Sequence, residues 1–512
     1  MKAKGQSVKP GILEGIRVLD LSRMLSGPYS TMLLADHGAE VIKIESAEGD
    51  SSRRSGPFKD NDIKRDWSGY FISLNRNKKS ISLDLKNAED LVFLKKLIEI
   101  SDVLVENFRP GVMKRLGLSF DEVSKVNPRI VYGSISGFGS EIFGESSYKN
   151  WPSYDVVAQA MGGLISLTGY DEKTPLKVGP GIADIFSGTL LSFGLLASIL
   201  KSRDTGRAQF VEVAMYDAIV SMCERAIYQY DFNKLIPKPE GNGHPLLAPF
   251  GIYTAKDGFI AIGIVEDSYW NVLKKIIGFD DLLNDLKYGT IALRAKNRNE
   301  LNKQINLWTR EFSKKELVNL LGGKVPFGPV NNVREIFKDK HIRERNMILE
   351  IEQPFGEAKK WKVAGNPVKF QGFHCSNLTP PTLGEHKELY ANNLHSIKSN
   401  NKPSNPFKPD KKDYQCKLTF MSNENRLFEF YASSFTWLKS KETYLICSLE
   451  KSKFMPIENS VRAVKFHFSK LTTRKDAYKE AIARLNIKLS EKSISEVSLT
   501  YAESDILISV KT

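Results

Sequence analysis

Residues 11–200 place short β-branched runs between segments of helical periodicity, and that alternation constrains the fold more than any other feature of the chain. Residues 16–21 and 41–45 read as buried strands, with 31–37 and its flanks as the helix between them. Residues 80–85, 103–106 and 130–135 are further strands, and 91–99 is a helix. Strands without a polar face, separated by helices, belong in a parallel sheet covered on both sides. The fold class read from this is α/β, with a Rossmann-like parallel sheet in a large domain over residues 11–220. Residues 153–165 and 185–200 are apolar and rich in small side chains, and read as buried helices.

The pattern changes from about residue 226. A loop, Gly241-Asn242-Gly243-His244-Pro245, precedes short strands at 251–254 and 259–264 and amphipathic helices at 268–277 and 296–321. A smaller α/β domain is expected over 226–330, and 335–395 is expected to return to the large one. Residues 396–412, SIKSNNKPSNPFKPDKK, read as a linker. Beyond it, strands at 415–420, 427–433, 443–449 and 461–468 and a helical stripe at 472–489 predict a C-terminal α+β domain over 413–512, with no chemical motif.

Composition narrows the class without choosing a function. Apolar residues are 41% and charged residues 26% of the 512, the mix of a soluble globular protein. The longest uncharged apolar stretch, 185–200, is sixteen residues, short of the roughly 20 that cross a bilayer, so no membrane association is expected. The N-terminal segment has charge but no apolar core of the kind a secretory signal needs. Four scattered cysteines without CxxC spacing fit a reducing compartment, neither a disulfide framework nor a metal site, and a cytoplasmic location. The net charge of +14 suits an anionic partner. Residues 401–512 hold 20 Lys/Arg against 13 Asp/Glu, half of that surplus.

A parallel sheet invites a dinucleotide test. Glu45 ends a strand where a ribose-binding acid would stand, but the turn after the first strand, Arg23-Met24-Leu25-Ser26-Gly27-Pro28, lacks G-x-G-x-x-G. Without those glycines a backbone does not approach a pyrophosphate closely, which argues against NAD.

Other motifs carry a resemblance. VLDLSRMLSGPYSTMLLADHGAEVIKIE (Val18–Glu45), LNRNKKSISLDLK (Leu74–Lys86), VENFRPGVMKRLGL (Val105–Leu118), GSISGFG (Gly133–Gly139), VGPGIADIFSG (Val178–Gly188) and TGRAQFVEVAMYDA (Thr205–Ala218) stand in order. GNGHPLLAPFGIYTAKDGFIAI (Gly241–Ile262), FGPVNNVREIFKDKHIRERNM (Phe327–Met347) and PTLGEHKELY (Pro381–Tyr390) follow. Together they resemble the family III CoA-transferases, the group of formyl-CoA and carnitine CoA-transferases, over about residues 11–395. The resemblance implies transfer of CoA from an acyl-CoA to a small carboxylic or dicarboxylic acid. The route is an aspartyl anhydride and then an aspartyl-CoA thioester. Asp184 matches the nucleophile, and Gly241 and Gly243 match a glycine loop whose N–H groups would meet the oxyanion. Asn107, Phe108 and Arg115 are implied to line the CoA site, with Asn75, Arg76 and Lys78 near its adenosine end. It also implies an interlocked homodimer, with CoA as substrate and no prosthetic group or metal. Formyl-CoA transferase-like members carry a polar amide where Leu25 stands and a lysine where Ser136 stands, so no oxalate or formate preference is carried over.

Read without the resemblance, an Asp before an apolar helical run is usually a plain N-cap. Two other functions compete with this one. A 2-methylacyl-CoA racemase needs a second acid/base, and its matching position here is Tyr154, whose hydroxyl titrates near 10 and is ill suited to proton abstraction at neutral pH. A binding protein would use the basic C-terminal domain, where aromatics and lysines from Phe428 to Lys441 could stack bases. Alternating aromatics more often form a sheet core, so a nucleic-acid partner is not expected.

Overall fold

The computed structural model describes residues 11–392, apart from 61, 63, 64, 66, 279–285, 353–359 and 374–378, and beyond 415 the backbone of eight strands. The chain divides into two compact units, Met1–Asn401 and Lys402–Thr512.

In the first unit, β1 (Arg17–Asp20), β2 (Glu40–Glu45), β3 (Lys78–Ser82), β4 (Val103–Glu106), β5 (Val131–Ser136) and β6 (Gln209–Ala214) form one sheet in the order β3-β2-β1-β4-β5-β6. All five pairings are parallel. The strand order reverses between β1 and β4, the place where open α/β sheets leave a crevice beyond the strand C-termini. The sequence reading missed β6, an edge strand whose Gln209 and Glu212 interrupt the apolar run and leave it half-buried.

Period-two alternation explains the two-sided core. Val18, Val41, Val103, Val105 and Val131 pack on one face with Ala183, Leu191, Leu195 and Ile199. Leu19, Ile42, Leu104 and Tyr132 pack on the other with Leu94, Leu97 and Ile98. Each such Leu, Ile or Val contributes about 1.5–3 kcal/mol by leaving water.

The helix Ile182–Thr205 extends the uncharged stretch seen in the sequence by taking Asp184 and Lys201 into its ends. It is long and apolar enough by length and composition to cross a membrane, yet Leu191 and Leu195 are fully buried against the sheet. Its partner is the helix Ser26–Asp36, and Gly188 permits the approach. A Cβ on Gly188 would lie 2.5 Å from the Ser26 carbonyl oxygen. Gly188→Ala should therefore separate the two helices, lowering stability by about 1–3 kcal/mol. Thermal melts check this, and a wild-type melting temperature in that variant would contradict it.

A second core lies within 248–327. β7 (Phe250–Ala255), β8 (Gly258–Gly263) and β9 (Phe327–Pro329) form an antiparallel sheet. Against it pack Trp270, Leu273, Leu301, Ile305 and Leu317. The expected helix at 296–321 is two helices, Arg298–Thr309 and Lys314–Leu321, because Ser313 and Glu316 form a capping box that starts the second. After residue 345 the chain forms a separate two-stranded sheet. The hairpin β10 (Ile348–Ile351) and β11 (Trp361–Ala364) packs with Trp67, Phe71 and Ile72. The Tyr390 hydroxyl donates to Glu40.

The second unit holds β12 (Cys416–Ser422), β13 (Asn425–Ala432), β14 (Phe435–Lys439), β15 (Thr443–Cys447), β16 (Ala463–Phe468), β17 (Ala483–Arg484), β18 (Glu496–Ala502) and β19 (Asp505–Lys511). They form a five-stranded antiparallel sheet, β13-β12-β16-β19-β18, and a three-stranded one, β14-β15-β17. Here the helical reading of 472–489 is corrected in part. Ala483–Arg484 pairs in parallel with β15, and the rest of that stripe lies outside the described residues. Periodicity over so few apolar residues does not separate helix from strand.

Candidate active site

The turn after β1 is held from several directions. Asn107, just past β4, accepts from Arg23 N at 2.8 Å through Oδ1 and donates through Nδ2 to Arg23 O at 2.8 Å and Ser26 Oγ at 3.2 Å. Asp50 accepts from Met24 N at 3.2 Å, and Lys43 Nζ donates to Ser22 O at 2.8 Å. Ser26 in turn faces the carboxylate of Asp184 and lowers its pKa. A chain of contacts thus runs from the end of β4, across the β1 turn, to the start of the long helix. It lies where the strand order reverses.

Asp184 is not an N-cap. Gly181 holds that position and has no side chain to offer, and Asp184 stands in the first turn, half-buried. Burial, then the neighbouring Asp155 carboxylate, push its pKa up to about 6, against a lowering by the Ser26 hydrogen bond. A helix N-terminus favours the ionised carboxylate, but desolvation and a like charge act the other way on Asp184. Tyr70 also faces this cluster, and burial, followed by the charges of Asp184, Asp50 and Asp155, pushes its phenol up to about 12. At the end of β4, Glu106 is pushed up to about 7 by burial. Its Oε2 accepts from Phe108 N at 2.8 Å, which shapes the turn carrying Asn107 and Phe108.

Of the expected CoA contacts, Asn107, Phe108 and Arg115 lie together after β4. Phe108 is half-buried under the Arg23 guanidinium, 5.3 Å from its ring centroid, and Arg115 is exposed. Asn75, Arg76 and Lys78, placed by the resemblance near the adenosine end of CoA, have partners within the protein. Asn75 is fully buried between Phe71 O and Lys78 Nζ. Arg76 grips Asp36 through two nitrogens, at 2.9 and 2.7 Å. Lys78 Nζ is surrounded by Asp20, Pro28 O, Thr31 and Asn75 at 2.8–3.0 Å. These cations are buried and already matched by anions more than thirty residues away, which a local reading takes for a basic surface.

Gly241 and Gly243 have partners of their own. Gly241 has φ +58°, and its N–H donates to Gly169 O at 3.0 Å, while the Gly243 N–H donates to Glu240 O at 3.1 Å. His244 is also engaged, accepting from Leu246 N at 3.1 Å and lying 3.3 Å from Arg225. Among the described residues, no group of three His, Cys, Asp or Glu side chains is arranged to hold a metal ion. Tyr154 caps the helix Asp155–Met161 and is 67% exposed. No sequence motif singles out Asp155 or Tyr70; they are revealed by facing Asp184 from other helices.

The family profile of CoA-transferase family III matches residues 13–387. The chain belongs to CoA-transferase family III. As a CoA-transferase it is an enzyme that moves CoA between thioesters and carboxylic acids. It is 40% identical over 378 residues to the succinyl-CoA:mesaconate CoA-transferase of Haloarcula hispanica, covering 74% of this chain and 95% of that one. The succinyl-CoA:glutarate CoA-transferase of Mus musculus is 34% identical over 383 residues, with coverage of 74% and 85%. A crystal structure of a CAIB/BAIF family protein from Brucella suis superimposes with a TM-score of 0.67 at 30% identity, covering 75% of this chain and all of that one. The family match ends before the second unit begins, so Lys402–Thr512 is an addition to the CoA-transferase portion.

Proposed function

We propose that this CoA-transferase moves CoA from a short acyl-CoA to a small dicarboxylic acid, with Asp184 as the nucleophile. The observation that carries the reading is the position of Asp184. It stands in the first turn of the long helix that packs on the sheet, near the place where the strand order reverses, with Ser26 facing it. The dicarboxylic class is supported by relatives named for succinyl-CoA with mesaconate or glutarate. In the first step an Asp184 oxygen bonds to the thioester carbonyl carbon and the C–S bond breaks. A mixed anhydride and CoA thiolate result. The thiolate then attacks the aspartyl carbonyl and releases the first acid, leaving an aspartyl-CoA thioester. The incoming carboxylate repeats the sequence in reverse, so no ATP is consumed. Arg23, Asn107, Phe108 and Arg115 are the CoA contacts in this reading. Gly241 and Gly243 serve as oxyanion donors once their N–H groups exchange Gly169 and Glu240 for substrate.

The reading includes a cytoplasmic homodimer. Phe193 on the long helix is 74% exposed and Phe232 is 81% exposed, more apolar surface than a lone subunit is expected to present.

Acylation of the enzyme decides the mechanism. Incubation with acyl-CoA followed by hydroxylamine should convert Asp184 to a hydroxamate, located by peptide mass spectrometry. A tag elsewhere would remove Asp184 from the role. The pH profile is a second check. A nucleophile that must be ionised, with its pKa pushed up to about 6, predicts that kcat/KM for acyl-CoA falls tenfold per unit below about pH 6 and is level above it. A profile level down to pH 4.5 would contradict this.

A further inference from the structure

Asp155 belongs to a different helix from Asp184 and meets it at the start of the long helix. The first N–H groups of a helix have no partner within it, and the capping position here is Gly181, which carries no side chain. Asp155 supplies the missing acceptor from outside. Its Oδ1 accepts from Ala183 N at 2.8 Å, and its Oδ2 accepts from Gln159 Nε2 at 2.7 Å. Gln159, fully buried, accepts from Val178 N at 3.0 Å through its other amide atom. The turn Val178-Gly179-Pro180-Gly181 is therefore pinned at both ends by one pair of side chains. A Cβ on Gly181 would sit 2.7 Å from Leu25 Cδ2, so the turn is also packed tightly against the β1 loop.

We propose that Asp155 is a positioning residue for the transferase reaction: it caps the helix that carries Asp184 from outside, and its charge opposes that of Asp184 until acylation removes the latter. The inference rests on the reading of Asp184 as nucleophile. In the first step, negative charge leaves the Asp184 oxygen as the C–O bond forms and arrives on the CoA sulfur as the C–S bond breaks. Repulsion between two carboxylates is present in the free enzyme and absent in the anhydride, so it favours acylation over the resting state. The groups facing Asp184 from the packed elements are Ser26 of Ser26–Asp36, Tyr70 of Gly69–Asn75 and Asp155 of Asp155–Met161. Of these, Asp155 is the carboxylate that acts on Asp184 as a like charge.

Asp155→Asn keeps an acceptor for Ala183 N–H and deletes the charge. The expected result is an acid limb of kcat/KM displaced downward by about one pH unit. The acylation rate at pH 8 should fall by up to about tenfold, the equivalent of that unit, with KM for acyl-CoA changed less than twofold. Asp155→Glu, which restores the charge, should return the limb toward its wild-type position even where the extra methylene lowers kcat. A purely structural role would lower kcat or the melting temperature in both variants and leave the limb unmoved, which overturns the proposal. If Asp184 is acylated in the wild type, and in Asp155→Asn at the same rate and with the same pH limb, the Asp155 assignment alone fails. If Asp184 is never acylated in the wild type, the nucleophile reading fails first.

Discussion

Asp184→Ala loses CoA transfer by at least about four orders of magnitude, the scale on which removal of a covalent nucleophile acts, while the affinity for acyl-CoA changes little. The substrate contacts proposed around Arg23, Asn107 and Phe108 do not pass through this carboxylate. Isothermal titration with acyl-CoA and a coupled transfer assay separate the two effects, and appreciable turnover in the variant would exclude the mechanism. The same position makes a stability prediction of opposite sign. The Asp184 pKa is about 6 in the fold against an ordinary 3.8. Between these values the folded protein holds a proton that the unfolded chain has released, so stability falls as pH rises from about 4 to about 6. Above pH 6 the ionised carboxylate remains a destabilising group, by at most about 3 kcal/mol and less where solvent reaches it. Asp184→Asn should therefore melt higher than the wild type at pH 8 and lose that advantage at pH 4. A lower melting temperature at pH 8 would contradict the electrostatic account.

The second large effect belongs to the buried charges beneath the β1 turn. Burial alone would raise the Asp20 carboxyl, but Lys78 and Lys43 outweigh it and hold the group well below the usual carboxylate range. Asp20 accepts from Lys78 Nζ at 2.8 Å, Thr31 at 2.7 Å and Ser22 N at 3.0 Å, and both Asp20 and Lys78 have fully buried side chains. Asp20→Ala leaves Lys78 without its anion and should destabilise the first unit by about 3–5 kcal/mol. Adding Lys78→Met should recover a good part of that, because the loss comes mainly from the stranded charge. Urea titrations of the two single variants and the double variant measure the coupling, and additive losses would refute it. The sign with pH is fixed by the lowered pKa. Asp20 contributes its full stability above about pH 4, the unfolded value, and loses it as pH falls toward the folded one. The acid limb of wild-type unfolding should accordingly be shallower in Asp20→Ala.

Most of the architecture was legible because it is local. A strand buried on both faces carries consecutive apolar residues, and Val103-Leu104-Val105 and Val41-Ile42 show that pattern without reference to any partner. The boundary at 296–321 was misread for an equally local reason, a Ser313 cap inside a run whose helical period continues past it. At the site, the order of motifs singled out Asp184, Asn107 and Phe108. It could not show that Asp155, twenty-nine positions earlier, shares the helix start with Asp184, since that contact depends on how two helices cross. The partners of Lys78 and Arg76 were hidden for the same reason. A lysine at a strand start and an arginine at a helix end look solvated until the fold sets Asp20, 58 residues away, and Asp36, 40 residues away, against them.

By itself the amino-acid sequence determined the sheet-forming segments, the family and the candidate nucleophile, because periodicity and motif order are properties of neighbouring residues. Only the tertiary structure decided which charges stay exposed and which are cancelled inside, and it set Asp184 in a partly buried place beside the Asp155 carboxylate. Desolvation and charge pairing are set by atoms brought together across the chain, and no segment carries that information alone.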